Sequence, residues 1–470
     1  MLKTRRAFLK SGAARIMAGA LLARSLGRPA LAQDRADRLL LKGGTVLTLD
    51  PALGDFETAD VLIEGSRVAA VAKDIAPAGT VIDCADMIVM PGFVDTHRHC
   101  WWGQLRGFMV NATLDDYLLI RAQVAPGYRP EDVYAGNRVS ALGAIDAGIT
   151  TLLDWSHISN TPAHSDAAIA ALRDTGIRAV YAFGVGRGGT DQKSAWPQDI
   201  RRLRKQFFAS SGQLLTLALA ADTGPNAPRD WALAREVGAR ITVHANNRGE
   251  LAPLFEAGLM KADNTYVHCN QLSDEEWRMI KDSGGTVSIA NPVEMQMGHG
   301  VPAVQRALDH GIRPSLSVDV ETTVGGDFFA QMRACFATQR MLINERLRAG
   351  EQNVPARLTA REVLEFATVE GARANGLTDT IGSLTPGKQA DVILLRKDRI
   401  NVLPVNAATG TVVTAMDTSN VDTVIIAGQI RKRSGELLDV DLDAVERQAR
   451  ASREWVLSKA GFPLSIVEGA

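Results

Sequence analysis

Short apolar runs alternate with helical segments through the middle of the chain, and no other feature constrains the fold as strongly. The first run ends near Asp95, and the seven that follow span residues 150–153, 179–183, 214–220, 241–243, 265–267, 286–289 and 315–318. Helices begin between and after them, for example at the capping boxes that open at Ser273 and Thr359. Because alternating strands and helices form a parallel sheet, eight such units predict an α/β fold with a closed (β/α)8, TIM-like barrel. An open doubly wound sheet is the competing arrangement, but no glycine-rich phosphate loop follows an early strand.

Strand-like patterns also occupy both ends of the chain, outside the predicted barrel. They span residues 39–49, 61–71, 391–395 and 423–431. Gly43-Gly44, Glu64-Gly65 and Gly428 are predicted turns. We expect these strands to pair into a small composite β-sandwich domain built from both chain ends. The predicted division is a signal peptide at 1–32, a β domain at 33–90 and 386–440, a barrel at 91–385, and a helical tail at 441–470.

The first 32 residues contain seven basic residues and no acidic residue. Within them, Thr4-Arg5-Arg6-Ala7-Phe8-Leu9-Lys10 resembles the twin-arginine export motif, and Ala30-Leu31-Ala32 matches the small-x-small pattern of a signal peptidase site. We therefore predict a signal peptide that engages the twin-arginine translocase, and a periplasmic or secreted mature protein. The alternative is an amphipathic helix of the mature fold.

Charge and cysteine content exclude several classes of protein. The whole chain has 52 Lys and Arg against 53 Asp and Glu, so loss of the seven basic residues leaves 45 against 53, a net charge of -8. Such an acidic chain is not expected to bind nucleic acid or anionic membranes. After residue 32 no run of about 20 apolar residues could span a bilayer. The four cysteines form no CxxC pair and are predicted to be buried thiols.

Five polar residues lie at the carboxyl ends of the predicted barrel strands, where a barrel carries its active site. They are His97, His99, His244, His268 and Asp319. Residues i and i+2 of a strand point the same way, so His97 and His99 face one cavity together. Taken singly, each histidine is more often a hydrogen-bonded polar residue than a ligand. Together, imidazoles and a carboxylate are the ligands that a zinc-type ion takes while keeping a position open for water.

Such an ion supplies hydrolytic chemistry. It lowers the pKa of its bound water towards neutrality and so produces a hydroxide nucleophile. A nearby carboxylate or imidazole can then carry the proton. The ligand types suit Zn²⁺, Fe²⁺ or Mn²⁺, and zinc is the metal that we expect.

Three longer motifs are more specific. Residues 91–99 read Pro-Gly-Phe-Val-Asp-Thr-His-Arg-His, residues 105–107 read Leu-Arg-Gly, and residues 381–391 read Ile-Gly-Ser-Leu-Thr-Pro-Gly-Lys-Gln-Ala-Asp. In this order they resemble the metal-dependent amidohydrolase superfamily, in the cytosine-deaminase-like branch that includes triazine hydrolases and 8-oxoguanine or adenosylhomocysteine deaminases. The resemblance covers roughly residues 39–437. It implies a (β/α)8 barrel with a composite β domain, and often a homodimer.

The resemblance also implies roles for individual residues. His97, His99, His244 and Asp319 would bind the metal, and His268 would hold the water or the polarised atom of the substrate. Deaminases of this branch carry a proton-transferring Glu three residues after the strand-5 histidine, but Asn247 stands there and cannot transfer a proton. Proton transfer would then fall to the catalytic residues Asp319 and His268. The fourth strand has no Lys to bridge two ions, which favours a single divalent metal ion.

Other residues are candidates for the substrate pocket. Glu250 and Glu294 could replace the missing Glu, but we interpret both as solvated charges. Tentative substrate contacts are His157, Asn247, His299 and Trp101, each of which has an alternative role in packing or in a surface loop.

These observations predict an exported metal-dependent hydrolase in which a hydroxide attacks an sp2 carbon. It would cleave a non-peptide C–N bond of a small molecule, and the missing Glu favours amide-, carbamate- or lactam-like substrates. The alternative is deamination of a purine-, pyrimidine- or triazine-type N-heterocycle. A more remote alternative is a non-catalytic binding protein on the same scaffold.

Overall fold

The computed structural model describes residues 38–77, 79–188, 195–210 and 212–467. The predicted signal peptide at residues 1–32 lies outside the described residues. Residues 36–470 form one compact unit, whose described part contains two β-sheets. The strands are β1 (Arg38–Val46), β2 (Phe56–Glu64), β3 (Arg67–Ala72), β4 (Thr80–Asp83), β5 (Met87–Pro91), β6 (Phe93–Arg98), β7 (Ile149–Ser156), β8 (Arg178–Phe183), β9 (Leu215–Ala221), β10 (Arg240–His244), β11 (Asn264–Val267), β12 (Thr286–Ile289), β13 (Ser315–Leu316), β14 (Val392–Arg396), β15 (Val421–Ile426), β16 (Gln429–Arg433) and β17 (Glu436–Leu437).

Helices connect most of these strands. They are α1 (Leu114–Val124), α2 (Pro130–Asp146), α3 (Pro162–Thr175), α4 (Ile200–Phe207), α5 (Ala227–Glu236), α6 (Ala252–Glu256), α7 (Asp274–Asp282), α8 (Asn291–Gln296), α9 (Val304–Asp309), α10 (Phe328–Arg348), α11 (Ala360–Phe366), α12 (Val369–Ala374), α13 (Ala408–Thr414) and α14 (Leu442–Lys459). Short 3₁₀ helices span Cys100–Leu105, Ala125–Gly127 and Thr418–Asn420. The capping boxes at Ser273 and Thr359 open α7 and α11 as predicted.

Strands β6 to β13 form the predicted eight-stranded parallel barrel, paired in chain order. Strands β7 and β8 are buried at every position, as expected of parallel strands that helices cover on the outside. The first and last strands meet through the backbone: the N–H of His99 donates to the carbonyl of Asp319 and the N–H of Asp319 to the carbonyl of His97, each at 2.9 Å. This closing seam brings residues 222 positions apart into contact at the carboxyl end of the barrel.

The second sheet joins the two ends of the chain, as predicted. Its nine strands are mixed in direction, and β14 pairs antiparallel with β5, which links the strands after the barrel to those before it. The predicted turn at Gly43-Gly44 is wrong: both glycines lie within β1, where the register with β2 shifts. Gly43 has a φ of 74°, and a Cβ on Gly44 would lie 2.6 Å from the Val89 side chain. The pair therefore forms a bulge against a neighbouring strand rather than a turn.

The barrel core is continuous and apolar. Its largest fully buried side chains include Trp101, Trp102, Trp231 and Trp277, and complete burial of a large apolar side chain stabilises the fold by about 1.5–3 kcal/mol. The cysteines at 84, 100, 269 and 335 are buried free thiols. Among the described residues, no helix has both the length and the apolar character needed to cross a membrane.

Candidate metal centre

The barrel gathers the five predicted site residues at one end. His97 lies on β6 and His99 directly after it, His244 ends β10, and His268 and Asp319 follow β11 and β13. All are buried except His244, which is partly buried. Because the carboxyl ends of parallel strands converge at one rim, side chains from four separate strands meet there.

The distances in the cluster are short. His97 Nε2 and His99 Nε2 each lie 3.3 Å from Asp319 Oδ1, and His244 Nε2 lies 3.2 Å from His97 Nε2. Ligand atoms of His97, His99 and His244 all lie within 4.8 Å of one another, and so do those of His97, His268 and Asp319. The four predicted metal ligands thus belong to two overlapping groups that share His97.

The protonation states of this cluster fit a cation. Burial lowers the pKa of His97 to about 3 and lowers the pKa of His244 well below its usual value, so both imidazoles are neutral. Burial alone would raise the pKa of Asp319, but the contacts with His97 and His99 hold it far below its usual range. The Nδ1 atom of His99 contacts the carbonyl of Trp155 at 2.7 Å. A ring N–H bonded in this way orients a metal-ligating histidine and leaves its Nε2 lone pair free.

We conclude that the residues present fit a divalent metal ion. Neutral imidazole nitrogens and a carboxylate oxygen converge on one point, and crowded lone pairs of this kind are stabilised by a positive charge between them. The buried Nδ1 of His97 has no hydrogen-bond partner among the described residues, which is consistent with a side chain whose position depends on a ligand at Nε2.

His268 is held by a carboxylate. Its Nδ1 lies 3.0 Å from Glu294 Oε1, and its Nε2 lies 3.7 Å from Asp319 Oδ2. Glu294 also accepts the N–H of Ala290 at 2.9 Å and the side-chain amide of Asn270 at 3.1 Å. Burial opposes protonation of His268, but the hydrogen bond to Glu294 and the charge of Asp319 outweigh it and raise the pKa of His268. His268 thus has an acidic partner on one side and a predicted metal ligand on the other, which are surroundings that suit a proton-transferring imidazole.

Glu294 is the residue that sequence reasoning misjudged. It is fully buried, so its interpretation as a solvated charge is wrong. The available signal was its position: it stands in the first turn of α8, directly after β12, at the end of the barrel that carries the site. Glu250 is partly buried, its Oε1 accepts the N–H of Asn247 at 2.8 Å, and burial raises its pKa.

Backbone conformation also marks the site. His268 and Asp319 have φ values of 72° and 67°, in the left-handed region that non-glycine residues rarely adopt. Each such residue costs about 1–3 kcal/mol and persists only because the surrounding structure enforces it. The two strained residues are the ones predicted to transfer protons.

A charged network, buried except for the exposed Arg106, lies next to the predicted metal ligands. We call Asp95, Arg98, Arg106, Ser140 and Glu321 the rear network. Arg98 Nε donates to Asp95 at 2.8 Å, and Arg98 Nη1 lies 3.2 Å from Glu321. Arg106 Nε donates to Glu321 at 2.8 Å, and the Ser140 hydroxyl donates to the same carboxylate. Arg106 is the arginine of the predicted Leu-Arg-Gly motif, which the structure therefore assigns to this network.

The rear network supports the closing seam. Asp95 Oδ1 accepts the backbone N–H groups of His97 and Val318, each at 3.2 Å. One carboxylate therefore bridges the first and last barrel strands beside the ligands that those strands carry. Arg98 neutralises the Asp95 carboxylate, and that carboxylate holds the backbone next to the predicted ligands. Loss of the Arg98 charge would therefore also disturb the position of the ligands.

The tentative substrate contacts fall into two groups. His157 and His299 are buried, with ring centroids 4.1 Å from His99 and 4.7 Å from His268. Trp101 is fully buried, stacks on Trp102 and contacts the ring of His157 edge-on at 5.3 Å. Asn247, by contrast, is exposed on the loop after β10, where its backbone bonds to Glu250.

Comparison with known proteins agrees with this description. The chain is similar to a 5'-deoxyadenosine deaminase from Methanosarcina mazei, with 27% identity over 449 residues that cover 90% of this chain and 99% of the relative. A zinc-bound adenosine deaminase from Xanthomonas campestris has the same fold, with a TM-score of 0.76, 22% identity, and coverage of 89% of this chain and 98% of that one. A zinc complex of atrazine chlorohydrolase from Arthrobacter aurescens has a TM-score of 0.78, 22% identity, and coverage of 88% and 99%.

A model of the amidohydrolase family matches residues 88–431, which include every barrel strand and the strands that join the two chain ends. The chain therefore belongs to the amidohydrolase family and is a hydrolase that acts on carbon–nitrogen bonds other than peptide bonds.

Proposed function

We propose that the protein is a divalent-metal-dependent deaminase of a small amino-substituted N-heterocycle. In the reaction, water adds to the amino-bearing ring carbon, the C–N bond breaks, and ammonia leaves an oxo-substituted ring. Support comes from the deaminases to which the chain is similar over nearly its whole length and from the buried carboxylate at His268. This proposal reverses the order of preference that Asn247 suggested, in which amide-type hydrolysis came first.

The pairing of His268 with Glu294 carries the proposal. Deamination requires a group that delivers protons to the ring and to the departing ammonia, and Asn247 cannot do so. His268 lies between Asp319 and a fully buried Glu294. A carboxylate behind an imidazole fixes its tautomer and stabilises its protonated form, which makes the imidazole an efficient acid and base.

The chain's own residues divide the remaining work. His97, His99, His244 and Asp319 would hold the ion, and zinc is the metal that we expect from this donor set. When bound, such an ion supplies Lewis acidity and an activated water. Asp319 would accept the first proton of the attacking water and His268 would pass it to the ring nitrogen. The second water proton would reach the amino group by the same pair, so that ammonia departs, and Glu294 would keep the His268 ring oriented.

Ammonia release tests the proposal. The zinc-loaded protein would be incubated with 5'-deoxyadenosine, adenosine, cytosine, guanine and an aminotriazine, and in parallel with amide, carbamate and lactam substrates. We expect ammonia and an oxo-heterocycle from at least one member of the first panel. Cleavage confined to the second panel would contradict the proposal.

Glu294→Gln gives the matched variant, because it keeps the shape and removes the charge. We expect kcat to fall about 10- to 100-fold, as for other carboxylates that orient an active-site histidine, with metal content unchanged. Glu275→Gln, in the exposed first turn of α7, is the control and should leave kcat unaltered. An unchanged kcat in Glu294→Gln would remove Glu294 from the mechanism.

A second candidate is hydrolysis of an amide-, carbamate- or lactam-like bond. Asn247 favours it, since the leaving group of such a substrate can take its proton from His268 without a second donor. The two panels separate the candidates, because this reaction releases an acid and an amine rather than ammonia from a ring. Export by the twin-arginine pathway is a separate proposal, which rests on residues 1–32 alone.

A further inference from the structure

We infer that His157 and His299 hold the substrate from two sides of the metal-ligand cluster and determine which heterocycles bind there. We call these two residues the histidine pair. The inference rests on the proposed function, because it assigns the residues that would recognise the ring on which deamination takes place.

His157 lies beside His99, just after β7. It is 1% exposed, and its ring meets the His99 ring nearly edge to face, with centroids 4.1 Å apart. Its Nδ1 makes a long 3.3 Å contact with the carbonyl of Trp155. Its Nε2 is buried and has no hydrogen-bond partner among the described residues.

His299 lies beside His268, just after α8. It is 6% exposed, and its ring meets the His268 ring edge to face, with centroids 4.7 Å apart. Neither of its ring nitrogens has a hydrogen-bond partner within the described part of the chain. The backbone holds the ring in place, since the N–H of His299 donates to the carbonyl of Glu294 at 3.0 Å.

The histidine pair brackets the cluster. Ring contacts run from His157 to His99, from His99 to His97, from His97 to His268, and from His268 to His299. The two imidazoles therefore stand at opposite ends of a chain of five rings in contact. We expect a molecule whose reacting carbon lies at the cluster to present one ring edge to each of the two histidines.

A buried histidine elsewhere in the chain has hydrogen-bond partners at both ring nitrogens. His164 is 3% exposed, yet its Nδ1 lies 2.8 Å from the Thr161 hydroxyl and its Nε2 lies 3.0 Å from the carbonyl of Tyr128. Native structures pair almost all buried polar atoms. Other described residues also leave buried polar atoms without partners, so it is the position of these three imidazole nitrogens next to the cluster that indicates a ligand.

The chemistry of the pair defines the ligand class. A neutral imidazole offers one N–H donor and one acceptor, and neither His157 nor His299 has a carboxylate in ion-pair contact within the described residues. Such groups match an uncharged polar ring better than an acid or a phosphate. We therefore assign the pair to a neutral heterocycle that carries a hydrogen-bonding ring atom on both sides of its reacting carbon.

Equilibrium binding to the zinc-loaded protein tests the inference. The probes are the heterocycles of the panel above and, for any that the protein deaminates, the oxo-substituted product, which is not turned over. Affinity is measured by calorimetry, together with the thermal unfolding midpoint of each protein. The variants are His157→Phe and His299→Phe, and the matched control is His164→Phe. We expect both variants of the pair to bind the preferred heterocycle about 10- to 100-fold more weakly, because each leaves a ring atom of the ligand unpaired.

The unfolding midpoint separates recognition from a structural role. His157→Phe and His299→Phe should keep or raise it, since they remove unpaired buried nitrogens, whereas His164→Phe should lower it and leave affinity intact. The inference is wrong if no member of the panel binds the wild-type protein, or if both variants of the pair keep the wild-type affinity. Weakened binding without ammonia release from any heterocycle would instead reject the proposed function and keep the assignment of the pair.

Discussion

The two sides of the metal-ligand cluster differ in how their polar groups are paired. In the rear network, the buried charges of Asp95, Arg98 and Glu321 bond to one another and to the backbone of the closing seam. On the other side, the histidine pair leaves three buried ring nitrogens without partners among the described residues. The paired charges of the rear network stabilise the fold. The unpaired nitrogens of the histidine pair lower its stability, and a bound ligand would restore that stability by pairing them.

This difference shows that one fold can meet two requirements in neighbouring regions, which are stability in the rear network and ligand binding at the histidine pair. Residues of the five-membered cluster contact both regions: His97 and Asp319 share the seam with the rear network, and His99 and His268 contact the histidine pair. Substitutions should therefore separate according to the side on which they fall. Rear substitutions should act on stability, and substitutions in the histidine pair should act on binding.

The largest effect is expected at the ligands themselves. His97→Ala and Asp319→Ala should each lower turnover by about 1000-fold or more, because loss of the ion removes several kcal/mol of transition-state stabilisation. Elemental analysis should find less than the wild-type metal content in both variants and a full content in His164→Phe. Full activity in His97→Ala would show that the site is wrongly assigned.

The rear network should respond through stability. Arg98→Met leaves the buried carboxylate of Asp95 without an ion-pair partner, whereas Glu321 keeps Arg106, so we expect it to lower the free energy of unfolding by about 3–5 kcal/mol. Denaturant titration measures this change. Glu236→Gln, which breaks the exposed ion pair with Arg201, is the control and should leave the midpoint unchanged. An equal loss of unfolding free energy in the two variants would show that the rear network stabilises the protein no more than an ordinary surface ion pair does.

A pH effect should appear at Asp154, which accepts the N–H of Cys100 and the side-chain amide of Asn137. Burial raises the pKa of Asp154 from 3.8 to about 6. Between these two pH values the folded state binds one proton more than the unfolded state. The contribution of protonated Asp154 to stability is therefore full below about pH 4 and is lost as the pH rises through about 6. Asp154→Asn cannot ionise, so it should remove this pH dependence, which amounts to about 3 kcal/mol.

Denaturant titrations of wild type and Asp154→Asn at pH 4 and pH 7 measure the difference. Because other carboxylates contribute equally to both proteins, only the change in slope is assigned to Asp154. A parallel pH dependence in the two proteins would contradict the assignment.

The smallest effect is expected at Asn247. Its side chain is exposed on the loop after β10 and lies outside both regions, so Asn247→Ala should retain the metal and change kcat/KM by less than about threefold. Steady-state kinetics and elemental analysis check this. A large loss of activity would move Asn247 into the substrate site and would revive its tentative assignment there.

The barrel, the composite second sheet and the positions of the five cluster residues could be predicted from sequence. Each depends on a local signal: apolar runs of strand length, capping residues, and polar residues placed where a strand ends. Because parallel strands all end at one rim, the local position of His244 or Asp319 was enough to predict their meeting.

The bulge at Gly43-Gly44 shows where local signals fail. Paired glycines usually indicate a turn, and nothing within residues 39–49 distinguishes a turn from a bulge. The close approach of Val89, 45 residues from Gly44, is what requires the missing side chain.

Short segments of the chain were enough to predict the family, the barrel and the groups able to bind a metal ion, because each segment carries its own periodicity and its own polar residues at the strand end. The surroundings of those groups depend on tertiary structure. Glu294 became a buried partner of His268 across 26 residues, and His157 and His299 were left unpaired while His164 was not. Burial, hydrogen-bond partners and pKa depend on which distant segments meet, and no local pattern in the chain carries that information.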